Sequence, residues 1–322
     1  MNKYWKIFWL GILIALVFTG LIGVLGSRLN SVELLPDQGA SWYYWKLPTK
    51  EFWPQLTAWS FYIIHQVSIW LLIYVAQFKD IKKRNLRRAQ IIIVNVFFVA
   101  LHIVQTHIWY DGLAQDVPVF SSQGSVIIML ILILIMENDR RGLFFGKKIG
   151  GFNSVKAFIK KYHGYFISWA LIYTFWYHPT VSTPGHLVGF FYMFLLFIQL
   201  SLLYTPVHMN KYWKFVLEVG VLFHGTIVAI YQGNGMWPMF CFGFATMLVV
   251  TQIYGIDLPK WARLLVQGIY IAGVIIVFGG FTGIKTISQV HQITWIPIIE
   301  YALVFVFLFF GEGIHRIKKR LL

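Results

Sequence analysis

The sequence predicts an all-α fold: a polytopic integral membrane bundle of about ten transmembrane helices with both termini cytoplasmic. Three observations carry that prediction. The 322-residue chain is 58% hydrophobic and only 12% charged, against about 25% charged in an average soluble domain. Apolar runs of the ~17–25 residues needed to cross a bilayer recur along its whole length, without the alternating pattern of a transmembrane barrel. The basic residues are also sorted by loop. With the amino terminus inside, only Arg28, Lys46, Lys50 and Lys285 of the 27 lysines and arginines fall in outer loops. That asymmetry is the positive-inside rule.

Taken in order, the spans are predicted over residues 5–25, 56–77, 90–109, 122–136, 163–178, 186–204, 214–231, 236–254, 262–281 and 293–311. The first is too long and too weakly terminated for a cleaved signal peptide, and its LGSRLN end offers no convincing small-residue cleavage site, so it reads as a retained helix. The outer segment 26–55 carries the aromatic stretch SWYYWKLPTKEFW, whose rings suit the membrane interface. Spans four and five are the shortest. The inner segment 137–162, with DRRGLFFGKK and GKKIGGFN, holds no GxGxxG fingerprint for a nucleotide. MNKYWK occurs at 1–6 and again at 209–214, both before a span on the cytoplasmic side, where lysine snorkels beside Tyr and Trp.

The net charge of +15 therefore reports topology and attraction to anionic membrane lipid, and no nucleic-acid partner is expected. A lone Cys241 permits no intrachain disulfide and reads as a packing residue. The expected location is the cell membrane.

Ten histidines are many for such a chain, and polar groups at membrane depth mark functional sites. His163 and His178 bracket the fifth span, KYHGYFISWALIYTFWYHP. On a helix they stand roughly 22 Å apart and within about 60° of one face. Span seven offers a similar couple, His208 at the inner end and His224 in the outer half. Spans five and seven run in the same direction, so inner imidazole faces inner and outer faces outer. That arrangement suits two haems, each clamped by histidines from two helices. Bis-imidazole iron lacks an open coordination site and favours electron transfer. Gly164 and Gly225, each following a histidine, would let a flat macrocycle approach, and Trp169, Tyr173, Trp176, Tyr212 and Trp213 would pack on it.

On these four histidines, residues 125–252 resemble the transmembrane domain of the ferric reductase and NADPH oxidase superfamily, in which two parallel helices, one helix apart, each carry two haem-ligating histidines. The resemblance implies two b-type haems, with His163 and His178 as the ligands from one helix and His208 and His224 from the other. It implies transmembrane electron transfer by a ferric reductase-like oxidoreductase, from a cytoplasmic quinol or separate flavoprotein to an outer acceptor. Within a single membrane domain over 1–322, residues 1–124 are then accessory spans, 125–252 the haem bundle and 253–322 two C-terminal spans. The spacing departs from the family's 13 or 14 residues. Sixteen residues leave His208 about 160° from His224 on an ideal helix, so ligation requires a non-helical entry near TPVHMN. The family's flavin and nicotinamide domains are missing.

Two other readings stand beside this one. His102, His107 and Asp111, in LHIVQTHIWYDG with Gln105 between them, could bind a single transition metal and serve lipid chemistry at the outer surface. No HExxH pattern is present, and the spacing of five residues sets the two imidazoles about 140° apart. His102 could instead hold an outer quinone. Finally, Glu218 and Glu300 within spans seven and ten could couple protons to transport, Glu218 being equally readable as a neutral acid bonded to a neighbouring helix.

Overall fold

A computed structural model describes residues 3–36, 38, 45–79, 84–233 and 235–321. Among these residues the chain is helical and contains no strand. Ten α-helices follow one another: α1 (Lys3–Leu25), α2 (Phe52–Tyr74), α3 (Arg84–Trp109), α4 (Val119–Arg141), α5 (Asn153–Tyr177), α6 (Pro184–Ser201), α7 (Lys211–Tyr231), α8 (Trp237–Val250), α9 (Lys260–Phe278) and α10 (Trp295–Leu321). Nine segments among the described residues are long and apolar enough to cross a membrane, the pattern of a multi-pass membrane protein. The exception among the ten predicted spans is α5, which is 25 residues long but spends its length on Lys156, Lys160, Lys161, His163 and a run of Tyr and Trp. Both short spans lengthen. Helix α4 continues to Arg141 and α5 starts at Asn153, which shrinks the inner segment to a loop between them. Residues 41–44 of the interfacial aromatic stretch lie outside the described residues.

The chain divides into two compact units, 1–129 with 163–209, and 130–162 with 210–322. In the first, α2 packs on α3, α1 on α6, and α3 on α6. Its core joins Ile69 and Ile73 of α2, Ile91 and Phe98 of α3, Phe175 and Trp176 of α5, and Phe190, Phe194 and Phe197 of α6. Small residues bring the helices close: a Cβ on Gly11 would lie 3.0 Å from Ile198. In the same unit the 45–50 segment is tied down, with Leu47 N–H donating to Gln115 Oε1 (3.0 Å) and Gln115 Nε2 donating to the Trp45 carbonyl (2.9 Å). Asp116 takes hydrogen bonds from Lys50 (3.0 Å) and from the Trp59 indole (2.8 Å).

In the second unit α8 is central and packs on α7, α9 and α10. Phe242, Val277 and Phe278 form a small core, with half-buried Cys241 against it as a packing residue. A buried ionic cluster ends α4. Arg140 donates to Glu218 of α7 (2.6 Å), to Glu137 and to the Gly255 carbonyl (2.9 Å). The Arg141 Nε lies 3.3 Å from the same Glu218 oxygen, and Lys214 donates to Glu137 at 3.0 Å. Glu300 is buried on α10.

Candidate functional site

Asn210 caps α7, its side chain accepting from the Tyr212 and Trp213 N–H groups, so the helix begins at Lys211. His208 therefore stands in the turn before α7 and not on the helix, which removes the angular conflict with a 16-residue spacing. The turn is fixed from both sides. Thr205 Oγ1 accepts from the His208 N–H (3.2 Å), and Gln199 Nε2 donates to the His208 carbonyl (3.1 Å). The imidazole Nδ1–H donates to the Gln199 carbonyl at 2.9 Å. That bond sets the tautomer and leaves Nε2 as the lone-pair nitrogen, as in histidines that serve as metal ligands.

His163 of α5 comes to the same place. Its ring centroid lies 5.7 Å from that of His208, with the planes tilted by 35°. Two metal–nitrogen bonds of about 2 Å each, with the ring radii added, span slightly more than this separation. Among the described residues no group of three or more His, Cys, Asp or Glu is arranged around a common point. A bare ion usually takes three or four protein ligands, whereas a haem takes only axial ones. The inner couple offers two imidazoles and, among the described residues, no third such donor around a common point. The glycines fit a haem poorly. A Cβ on Gly164 would meet Leu203 at 3.3 Å and Ile73 at 3.6 Å, and one on Gly225 would meet the Phe244 ring at 2.7 Å. Both glycines serve close side-chain packing, so the room expected there for a macrocycle is filled.

His178 falls just past the end of α5, and its ring packs edge-on against His186 at 5.3 Å. His186 in turn packs against Trp45 at 4.1 Å. His178 belongs to the first unit and His224, on α7, to the second.

The residues of the second predicted constellation go to separate tasks. The fully buried His102 donates from Nε2 to the His178 carbonyl (2.7 Å) and lies 4.3 Å, centroid to centroid, from Trp176. His107 turns back to the Ile103 carbonyl of its own helix at 2.7 Å. Asp111 accepts from the Gly112 N–H in the loop after α3. Burial pushes the Asp111 carboxyl up to about 7, with Asp116 adding to the effect and the Gly112 N–H and Lys50 opposing it. His102, His107 and Asp111 therefore form no ligand set. Glu218, held between two guanidinium groups, is an ion-paired carboxylate.

Sequence reasoning passed over a buried line through the first unit. The Trp176 indole donates to His65 Nδ1 (3.2 Å), His65 Nε2–H donates to Asn95 Oδ1 (3.0 Å), and the Asn95 amide donates to Ser201 Oγ (3.2 Å). The His65 ring also stacks on Phe98 at 4.5 Å. The available signal was Asn95 itself, a lone amide in the apolar run IIIVNVFF. Trp176, expected to pack on a macrocycle, is committed to His65 and His102. Comparison with models of known protein families, with curated proteins and with solved structures finds no match to this chain.

Proposed function

We propose that this chain is a ten-span protein of the cell membrane, both termini cytoplasmic, that carries electrons through a b-type haem held at the cytoplasmic end of its first unit. The observation that carries the reading is the approach of His163 and His208 to 5.7 Å, two residues from different segments meeting ring to ring. The sorting of basic residues to inner loops supports the topology. When bound, a bis-imidazole haem supplies a one-electron carrier with no open coordination position. His163 and His208 would hold the haem iron. The Gln199 carbonyl would orient His208 and raise the basicity of its Nε2 through the bond to Nδ1–H. Electrons would enter on the cytoplasmic side from a quinol or a separate flavoprotein. The second haem of the four-histidine scheme is not part of this proposal, since the His178 ring packs on His186.

The test is a reduced-minus-oxidised visible spectrum of the full chain, expressed with adequate haem and purified in mild detergent. A b-type absorption that is lost in both His163→Ala and His208→Ala, and kept in His178→Ala, is the expected result. No such absorption in the wild type overturns the proposal.

A further inference from the structure

The second unit gathers lysines around one carboxylate. Residues 137–162 carry seven lysines and arginines against two acids, Glu137 and Asp139. Glu137 is taken by Arg140 and Lys214. Asp139, near the end of α4, serves three lysines. Lys160 donates to its Oδ2, Lys156 Nζ lies 4.0 Å from its Oδ1, and Lys148 acts on it electrostatically from the loop after α4. One carboxylate among three ammonium groups leaves a surplus of two positive charges at that place. Lys156 and Lys160 stand one turn apart on one face of α5. The loop that carries Lys148 is fixed by Asn138, whose side chain donates to the Ile149 carbonyl (3.0 Å) and accepts from the Ile149 N–H (2.9 Å). The Lys156 side chain is only 13% exposed, and its ammonium is too far from Asp139 for a hydrogen bond. A charge so placed is costly until an anion meets it.

Lys156 also lines a small recess, whose other walls are Ile135 of α4, Leu143 and Ile149 of the loop, Phe152 and Leu308 of α10. Its one further polar member, Asn138, is committed to Ile149. Phe152 packs edge-on against Phe309 at 5.2 Å, and that ring is 65% exposed, so the apolar surface continues outward from the recess. Surplus positive charge thus borders an apolar hollow at the end of membrane-length helices. Free phosphate would satisfy the lysines and leave the hollow unused, and a zwitterionic lipid brings a cation of its own. An anionic phospholipid meets both demands, as basic pockets between membrane helices do for such headgroups. We infer that Lys148, Lys156 and Lys160 form a binding site for the headgroup of an anionic phospholipid, with the recess beside Lys156 receiving the start of an acyl chain. Asp139 competes with the lipid for the same ammonium groups and sets an upper limit on its affinity. The site lies wholly in the second unit and stands whether or not the histidine couple of the first holds a haem.

The experiment is thermal unfolding of the full chain in mild detergent, titrated with dioleoylphosphatidylglycerol, dioleoylphosphatidylcholine or inorganic phosphate. The expected result is a midpoint that rises with phosphatidylglycerol and far less with the other two. Lys156→Gln, and Lys148→Gln combined with Lys160→Gln, should weaken the apparent affinity for phosphatidylglycerol by about fivefold for each lysine removed. Asp139→Asn should strengthen it by a similar factor. Lys318→Gln with Lys319→Gln makes the same change of charge roughly 15 Å along α10 from Leu308, and should leave the affinity as in the wild type. The inference is overturned if phosphatidylcholine or inorganic phosphate stabilises the chain as well as phosphatidylglycerol, or if phosphatidylglycerol has no effect. It is equally overturned if the Lys318 and Lys319 variant loses as much affinity as the Lys148 and Lys160 variant. If Lys156→Gln does not fold, Asp139→Asn decides, and affinity that is unchanged or weaker there overturns the inference. None of these readouts involves the visible spectrum, so failure here is separate from failure of the haem proposal.

Discussion

The indole N–H of Trp176, on α5, points at Nδ1 of His65, on α2, across 3.2 Å in the buried centre of the first unit. Indole can only donate, so this bond fixes His65 as the tautomer that carries its proton on Nε2. The remaining bonds then follow in one direction through Asn95 of α3 to Ser201 of α6. A proton cannot be relayed past Trp176, and the line therefore acts as a clamp on four helices.

Removing the middle of that clamp has a definite cost. Asn95→Leu leaves the His65 N–H without its acceptor and the Ser201 hydroxyl without its donor. The expected loss is about 1–2 kcal/mol, the range for a buried hydrogen bond and near the upper end of values measured between membrane helices. Trp176→Phe is expected to cost more, since it also gives up indole contact with His102. Thermal unfolding in mild detergent measures both, and an Asn95→Leu protein as stable as the wild type would contradict the clamp.

Arg140 has a different kind of importance. Its guanidinium serves Glu137, Glu218 and the Gly255 carbonyl at once, so Arg140→Leu takes a cationic partner from two buried carboxylates and leaves Glu137 with Lys214 alone and Glu218 with Arg141 alone. Breaking a buried pair from one side costs about 3–5 kcal/mol, while replacing both partners by apolar groups costs much less. The double substitution Arg140→Leu with Glu218→Leu should therefore be more stable than Arg140→Leu alone. A double-mutant cycle on unfolding midpoints checks this, and strict additivity would show that the two residues do not interact.

Asp111 should make the protein's stability depend on pH. Its carboxyl is raised from an ordinary 3.8 to about 7 in the folded chain, chiefly by burial. Between those values the folded state binds more protons than the unfolded state, so stability falls as pH rises through the interval and levels off above it. The steepest slope for one such group is about 1.4 kcal/mol per pH unit. Asp111→Asn should remove that component from a series of unfolding curves between pH 4 and 8, and equal slopes for wild type and variant would refute the assignment.

Gly112 links this loop to the end of α5. A Cβ added there would lie 2.7 Å from the Tyr177 carbonyl oxygen and 3.1 Å from that of Trp176, both backbone atoms that cannot swing away. Gly112→Ala should separate the loop from the end of α5, where the His178 carbonyl receives the His102 bond. A loss of about 1–3 kcal/mol is expected from overpacking of this sort. Faster amide exchange at residues 178–180 would locate the damage, and unchanged exchange with unchanged stability would refute it.

Much of the architecture was legible in the chain. The apolar runs gave the helices. The inner couple was legible as well, because His163 and His208 sit at matching ends of neighbouring segments. Even the break before α7 could be anticipated from Pro206 and the angle of a 16-residue spacing. What could not be read was the use of each side chain. Gly164 and Gly225 looked like room for a ring, but a glycine beside a ligand and a glycine beside Leu203 or Phe244 are the same letter. His102 and His107 looked like a pair. One bonds the end of another helix and the other bonds its own.

By itself the sequence determined an all-helical chain built from membrane-length apolar segments, and the place of each histidine along them. Both are properties of a residue and its near neighbours, since hydropathy and helical rise act locally. Only the tertiary structure decided which imidazoles meet, which are committed to backbone carbonyls, and that Asn95 and Trp176 belong with His65. Those choices depend on how each helix is rotated against partners distant in sequence. That rotation is set by close packing of side chains, which no single segment specifies alone.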